Sequence, residues 1–266
     1  MDENYEKNRR VWNERAERGE LYATPALARE FENPLAVVDQ CGWLGGDVRG
    51  KRLLCLAAGG GRHSVLFASA GAVVTVVDIS ARMLELDRQA ARDRGLQVCI
   101  IESSMDSMPQ LAEASFDIVV QPVSTCYVPD VRAVYQEVAR VLAAGGIYVS
   151  QHKQPASLQA ELFPTGRGYL VAELYDRKAP LPVAPANQLH RESGASEFLH
   201  RWEDLIGGMC AAGFVIEDLQ EPRYCQGDAE RGSPGHRACF LPPFVKIKAR
   251  RVRSVTTVQK KIWTPQ

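Results

Sequence analysis

A doubly wound, mostly parallel α/β sheet is the fold class this sequence predicts, and three observations carry it. Apolar runs of strand length recur at 52–56, 73–78, 98–101, 116–121 and 147–152, separated by segments of helical pattern. The first run lacks apolar–polar alternation, as expected of a parallel strand covered on both faces. Between the first two runs stands Ala57-Ala58-Gly59-Gly60-Gly61, and Asp78 closes the second run 19 residues beyond Gly59. Consecutive glycines let a backbone turn tightly and approach a ligand. A carboxylate at that distance can accept hydrogen bonds from both hydroxyls of a ribose. Strands alternating with helices then wind right-handed into a parallel sheet.

Each element has a local justification. Residues 4–31 read as helical, with Tyr5, Trp12, Tyr22 and Phe31 set among dense charge and with Pro25 and Pro34 breaking the pattern. The stretch is either an amphipathic helix with half-buried aromatics or a cap over a ligand, lined by Trp12 and Tyr22. After the glycines, residues 62–70 are helical and stop at Gly71, a left-handed C′ position. Ser80 is an N-cap for a helix running to about Arg94, and Gly95 ends it. Pro129-Asp130 opens a helix whose Val131, Val134, Tyr135, Val138, Val141 and Leu142 keep the 3.6-residue period. Gly145-Gly146 turns into the fifth strand.

The rhythm then breaks. Residues 154–200 hold Pro155, Pro164, Pro180, Pro182 and Pro185 and no long periodic helix. Long inserts of this kind are usually functional or disordered. The polar and aromatic mixture, with Phe163, Tyr169, Tyr175, His190 and Phe198, predicts an ordered cover over a pocket. A last helix at 201–213 and a strand at 214–219 follow, and 244–249 alternates like a final edge strand. The tail after Arg250, with Arg251, Arg253, Lys260 and Lys261, reads as a solvated end. Without repeats or a dividing linker, the expectation is one domain: an N-terminal helical cap (1–45), a cofactor-binding core (46–153), an insert or lid (154–200), the last helix and C-terminal strands (201–250), and a tail (251–266).

Composition narrows the function. Of 266 residues, 45% are hydrophobic and 24% charged, ordinary for a soluble globular chain. Lys plus Arg equals Asp plus Glu at 32 each, so no global field favours nucleic acid or an anionic membrane. No apolar run approaches the roughly 20 residues that span a bilayer, and the acidic, polar start is read as no secretory signal. The seven cysteines form no C-x-x-C pair, and Cys55 and Cys99 sit in predicted strands. That pattern reads as reduced thiols in a cytoplasmic protein. No Cys or His pair has metal-ligand spacing, so no metal is expected. The expected partner is a small-molecule substrate, with neither nucleic acid nor membrane.

Two adenosine-cofactor readings fit the glycine turn. The dinucleotide fingerprint needs a third glycine for close helix–sheet packing, and here that position is Ser64, preceded by Arg62 and His63. This counts against NAD(P). Over roughly residues 50–250 the chain resembles the class I S-adenosylmethionine-dependent methyltransferases, which have a Rossmann-like fold, and especially the small-molecule branch that includes the ubiquinone/menaquinone-type enzymes. The glycine loop, Asp78-Ile79-Ser80 with Met83-Leu84, Phe116-Asp117-Ile118-Val119-Val120, and Ala211-Ala212-Gly213-Phe214 carry the resemblance. So does Val138-Ala139-Arg140-Val141-Leu142-Ala143-Ala144-Gly145-Gly146, which looks like that family's E-x-x-R-V-L-x-P-G-G stretch.

The resemblance implies a seven-stranded sheet whose reversed last strand lies between strands five and six, S-adenosylmethionine as cofactor, and methyl transfer to N, O, S or C of a small molecule. It places Gly59 and Gly61 beside the cofactor's methionine part with Ala57, Asp78 at its ribose, Ile79 and Met105 at its adenine, and Gln121 near the methionine moiety. Met83 joins this set. The sequence departs from the family's D/E-x-G-x-G-x-G loop at Cys55, where the acid stands, and at Ala57, where the first glycine stands. A carbonyl of Ala57 or Gln121 would then have to receive the cofactor's ammonium. Ser104 stands where many relatives have an Asp contacting the adenine amine; Ser104 can still hydrogen-bond there, or the neighbouring Asp106 can accept in its place.

Methyl transfer from a sulfonium is an in-line displacement governed by alignment. A hydroxyl or carbon acid acceptor also needs a general base. His152, at the carboxyl end of strand five, is the first candidate; Tyr127, His190 and His200 follow, and His63 reads as a packing or cofactor-side residue. Trp12, Tyr22 and His190 are the candidates for the acceptor pocket. Competing readings are an NAD(P)-linked oxidoreductase and a cofactor-binding protein without transfer activity.

Overall fold

The computed structural model describes residues 3–184 and 191–252. Its strands are β1 (Arg52–Leu56), β2 (Val73–Asp78), β3 (Val98–Glu102), β4 (Phe116–Gln121), β5 (Leu142–Lys153), β6 (Phe214–Gln220) and β7 (Phe244–Arg251). They form one sheet in the order β3-β2-β1-β4-β5-β7-β6. The first five run parallel, and β7 is antiparallel to both of its neighbours. The helices are α1 (Glu3–Arg18), α2 (Pro34–Val38), α3 (His63–Ser69), α4 (Ala81–Asp93), α5 (Val131–Val141), α6 (Pro155–Gln159), α7 (Gly208–Ala211) and α8 (Pro234–Ala238). This is the Rossmann-like, doubly wound sheet expected from the sequence.

The missing alternation in β1 has a direct cause. Leu54 and Leu56 point into a core shared with α5, while Leu53 and Cys55 point into a second core with Phe67 of α3 and Leu84 of α4. Both faces are dry beyond exposed Arg52, so Leu53 through Leu56 are all apolar. Cys55 is a core residue. The caps are where the sequence puts them: Ser80 Oγ accepts from Met83 N at 3.1 Å, Asp130 accepts from Arg132 N at 2.8 Å, and Gly71 after α3 has φ +93°.

Several expectations need correction. The strand at 244–249 is not at the edge its alternation suggests: it lies between β5 and β6, where the family resemblance puts a reversed last strand, and β6 is the edge. Its alternation reports one-sided burial, with Val245, Ile247 and Ala249 in the core and Lys246 and Lys248 on the other face. The N-terminal helix stops at Arg18, because Gly19 turns left-handed at φ +60°, and only a short 3-10 turn, Ala28–Phe31, follows before α2. Gly145-Gly146 does not precede the fifth strand but interrupts it, at an irregular register between Phe116 and Ile118. The last helix is a π turn, Glu203–Gly207, running into α7. Gly208 lets that turn close on the Tyr135 ring, which a Cβ would approach to 3.2 Å.

The expectation of wholly reduced thiols is corrected at Cys225 and Cys239, which form a disulfide; the other five cysteines are free. Among its described residues the insert holds only α6 and two isolated β-bridges, as its prolines predict. It is tied to the 222–239 segment by Arg237, which donates to Ser157 Oγ and to the Ser157 and Ala160 carbonyls. No helix among the described residues is long and apolar enough to cross a membrane. Pro185, His190, Arg253, Lys260 and Lys261 lie outside the described residues.

Candidate active site

A cavity of about 560 Å³ opens at the carboxyl ends of the parallel strands, where ligands bind in open α/β sheets. One half of it is built on β1–β3 and the glycine loop. Ala57, Gly59, Asp78, Ile79, Met83, Ser104, Met105 and Gln121, all expected there, line the wall. Gly61 does not. It turns at φ +71°, and a Cβ on it would sit 2.8 Å from the Leu86 carbonyl, so its glycine serves the packing of loop on α4.

Two buried acids hold this loop. Gly59 N donates to Asp78 Oδ2 at 3.0 Å and Gly60 N donates to Asp87 Oδ2 at 2.9 Å. Asp78 Oδ1 takes Ser80 N at 2.9 Å, and both its oxygens keep spare lone pairs. Burial pushes the Asp78 carboxyl up, against the three backbone N–H groups that favour its charge. A Cβ at Gly59 would lie 2.8 Å from Met83 Cβ and 3.0 Å from Asp78 Oδ2. The residues therefore fit the adenosyl group: bare backbone, a carboxylate with free lone pairs on the cavity wall and apolar Ile79, Met83 and Met105. Ala57 occupies the left-handed region at φ +47°, a strained conformation for a residue with a Cβ. Cys55 is fully buried and off the wall, with burial raising its thiol pKa; it takes no part in binding. Gln121 lines the wall, but its amide already donates to Ser124 Oγ at 2.8 Å and its carbonyl accepts from Tyr148. Ser104 Oγ donates to Asp106 Oδ1 at 2.5 Å, and Asp106 in turn accepts from Tyr5.

The other half lies toward β4, β5 and β7 and is made of side chains from distant segments. Trp12 and Tyr22 line it, as expected, and so do Tyr127, Tyr224, Phe244 and Glu192. Helix α1 is docked by Asn8, whose amide donates to the Tyr127 and Ser196 carbonyls at 3.0 Å and accepts from Ser196 N at 2.7 Å. The 22–30 segment lies on the glycine loop, with Ala26 N donating to the Gly61 carbonyl at 2.9 Å and Glu30 bridging Arg62 at 2.5 Å. Trp12 meets Tyr127 edge-on, with ring centroids 5.7 Å apart.

Beneath this half is a buried charge cluster that sequence reading missed. The Lys153 ammonium bridges Glu192 and Glu197, and Glu197 also pairs with Arg191 at 2.5 Å. Glu192 is held below the ordinary carboxylate range: burial works against its charge, and the Lys153 ammonium and the Tyr127 hydroxyl more than offset it. The Tyr127 phenol is raised well above its ordinary value by burial and then by Glu192, so it keeps its proton.

His152, expected to face the pocket, does not reach it. It is fully buried and off the cavity wall, with Nδ1 2.8 Å from Thr125 Oγ1 and Nε2 2.7 Å from Ser150 Oγ. Burial, then the charge of His200, lowers its pKa to about 3. The strand end points the side chain of Lys153's predecessor into the sheet–helix core, against Tyr135, rather than into the cavity. His200 is buried against the Thr125 carbonyl at 2.9 Å. His63 does line the wall, and burial followed by Arg62 brings its pKa down to about 4. No local signal in the sequence marks Asp87, Lys153, Glu192 or Tyr224; Asp87 sits on the inner face of its helix, where an apolar residue would be the norm.

Against known proteins, the methyltransferase domain family matches residues 54–150. The uncharacterized methyltransferase YbaJ of Bacillus subtilis is 34% identical over 179 residues, covering 66% of this chain and 70% of that protein. The chain belongs to the S-adenosylmethionine-dependent methyltransferases. The methyltransferase also matches the uncharacterized protein Mb1438c of Mycobacterium bovis, at 30% identity over 144 residues, 54% of this chain and only about half (52%) of that relative. Geranyl diphosphate C-methyltransferase from Streptomyces coelicolor, solved with Mg2+, geranyl diphosphate and S-adenosyl-L-homocysteine, shares the fold at TM-score 0.62 and 16% identity, over 95% of this chain and 99% of that one.

Proposed function

We propose that this methyltransferase transfers the methyl group of S-adenosylmethionine to a small-molecule acceptor seated among Trp12, Tyr22, Tyr127 and Tyr224. The carrying observation is continuity: one cavity joins the glycine loop and Asp78 to this aromatic wall. Its volume, about 560 Å³, is that of a small-molecule site. The fold neighbour named for geranyl diphosphate supports an acceptor of this class. The family assignment leaves the NAD(P)-linked reading without support, and a protein that binds the cofactor without transferring it is the reading the test must exclude.

When bound, S-adenosylmethionine supplies an electrophilic methyl carbon. In this reading Asp78 accepts from the ribose hydroxyls while its other lone pairs hold Gly59 and Ser80. Ile79 and Met105 enclose the adenine, and Ser104 and Gln121 face the cofactor's polar ends. On the acceptor side, Glu192 keeps the Tyr127 hydroxyl oriented, and Tyr127 acts as a hydrogen-bonding anchor rather than a base, since it keeps its proton. Trp12 and Tyr22 exclude water, so alignment supplies most of the rate. His63 is the neutral imidazole on the wall. The ubiquinone/menaquinone-type affinity is a finer proposal, supported by the 138–146 stretch. A cytoplasmic location and the absence of a nucleic-acid partner are proposals of the same rank, supported by five free thiols and zero net charge.

The test is calorimetry with S-adenosylmethionine and S-adenosylhomocysteine, followed by turnover across amines, phenols, thiols and prenyl diphosphates. Binding with turnover on one of these classes is expected. No binding of either nucleoside overturns the proposal, and binding without turnover on any class supports the inactive alternative.

A further inference from the structure

The glycine loop of this chain lacks an acid on β1, since Cys55 is a buried core residue. A buried carboxylate from another element grips the loop instead. Asp87, one turn into the buried face of α4 beyond Met83, is fully buried. Its Oδ2 accepts from Gly60 N at 2.9 Å, and that N–H is shared with the Met83 carbonyl at 3.1 Å. Gly61 N also donates to Asp87, and Ser64 Oγ at the start of α3 donates to its Oδ1. The one carboxyl therefore ties α4, the glycine loop and α3 together. Asp78, which takes the preceding amide, faces it from β2, and the Cys55 thiol feels its charge from β1. A buried carboxylate without a cationic partner is costly; burial, and then Asp78, push the Asp87 carboxyl up to about 7. Such a group is ill suited to stability alone, since an apolar residue on this face would cost less.

We propose that Asp87 is the positioning residue of the cofactor site: with Ser64 it holds the Gly60 and Gly61 amides in the turn that receives S-adenosylmethionine. This rests on the methyltransferase reading above. Asp87 does not line the cavity, so it acts through the backbone it grips. Gly60 alone would need no such grip for its conformation, because glycine adopts φ +116° freely; the grip selects one turn from the many that three glycines allow.

The experiment compares wild type, D87N and S64A by calorimetry with S-adenosylmethionine and with S-adenosylhomocysteine, alongside thermal unfolding. D87N keeps the shape of the side chain and removes an ionisable group from the core, so it folds at least as stably as wild type at neutral pH and above. A weakening of about fivefold or more for both nucleosides in D87N and in S64A, with the melting temperature maintained, supports the proposal. In turnover the loss falls on KM for the cofactor, with KM for the acceptor unchanged. Affinities of D87N and S64A within about fivefold of wild type overturn it. Should D87N fail to fold, S64A decides by the same criterion. If wild type binds neither nucleoside, the functional reading itself fails, a result distinct from equal binding by wild type and variants.

Discussion

The two halves of the cavity are built in opposite ways. The cofactor half uses backbone: a glycine turn between Ala57 and Gly61, gripped by acids from β2 and α4, all drawn from a contiguous stretch of the chain. The acceptor half uses side chains from α1, the segment after β4, the insert and the loop before β7, set over a buried cluster of four charges. Backbone cradles recognise what every member of a cofactor-dependent family must bind. Side chains gathered from distant loops can change one at a time, which is how one fold serves many acceptors.

Substitutions in each half should leave the other untouched. The largest effect is expected for Glu192→Ala, which leaves the buried Lys153 sharing Glu197 with Arg191. Breaking a buried pair from one side costs roughly 3–5 kcal/mol, measurable as a shift in urea unfolding, while cofactor affinity in the folded fraction changes by less than about twofold. A cofactor affinity that collapses together with stability would show the halves to be one unit.

His152 gives the next effect. Its pKa is lowered to about 3 in the fold, below an unfolded value of about 6.5. The stability this contributes is fully present above about pH 6.5 and is lost as pH falls through about 3, on the order of a few kcal/mol across the window. His152→Gln should flatten that slope in urea titrations between neutral and acid pH. It should also retain turnover within about tenfold, since general-base removal typically costs 100-fold or more. A larger loss of turnover would return His152 to the chemistry.

Asp78→Ala removes the proposed acceptor for two ribose hydroxyls and the grip on Gly59. At about 1.5 kcal/mol for each charge-assisted bond, S-adenosylmethionine affinity should fall on the order of 100-fold, read by calorimetry. An unchanged affinity would place the ribose elsewhere. The smallest effect belongs to Ala57→Gly. Relief of the left-handed strain at φ +47° is worth about 1–2 kcal/mol, and the flexibility gained by the unfolded chain takes back roughly 0.5–1. The net gain of about 0.5 kcal/mol should appear as a small rise in melting temperature; a fall would mean that the Ala57 methyl packs against something the loop needs.

The same contrast explains what could be read in advance. β1, β2, β4 and the helices capped by Ser80 and Asp130 follow from local patterns; Gly59 and Asp78 follow from their spacing, and Ile79, Met83 and Met105 on the same wall follow from the family resemblance. Gly61 lies off the wall because a glycine in a motif shows that bare backbone is needed but not which neighbour it must admit, here the Leu86 carbonyl. His152 was misplaced because a strand end has two faces, and only packing against Tyr135 and Thr125 decides which face is covered. Val245, Ile247 and Ala249 alternate with charged residues as an edge strand would, yet the strand sits inside the sheet, where only the family resemblance puts it, because alternation records burial and not hydrogen-bond neighbours.

By itself, then, the sequence determined the sheet, the glycine turn and the acid that closes β2, since each is written in residues a few positions apart whose backbone preferences and periodicity act locally, and the family shows in the resemblance those same stretches carry. Tertiary structure alone decided the Lys153–Glu192–Glu197–Arg191 cluster, the docking of Asn8 beside Tyr127, the Cys225–Cys239 pairing and the grip of Asp87 on Gly60. Those contacts join segments that the chain keeps apart, and a charged or polar side chain carries no mark of its partner until folding removes water from between them.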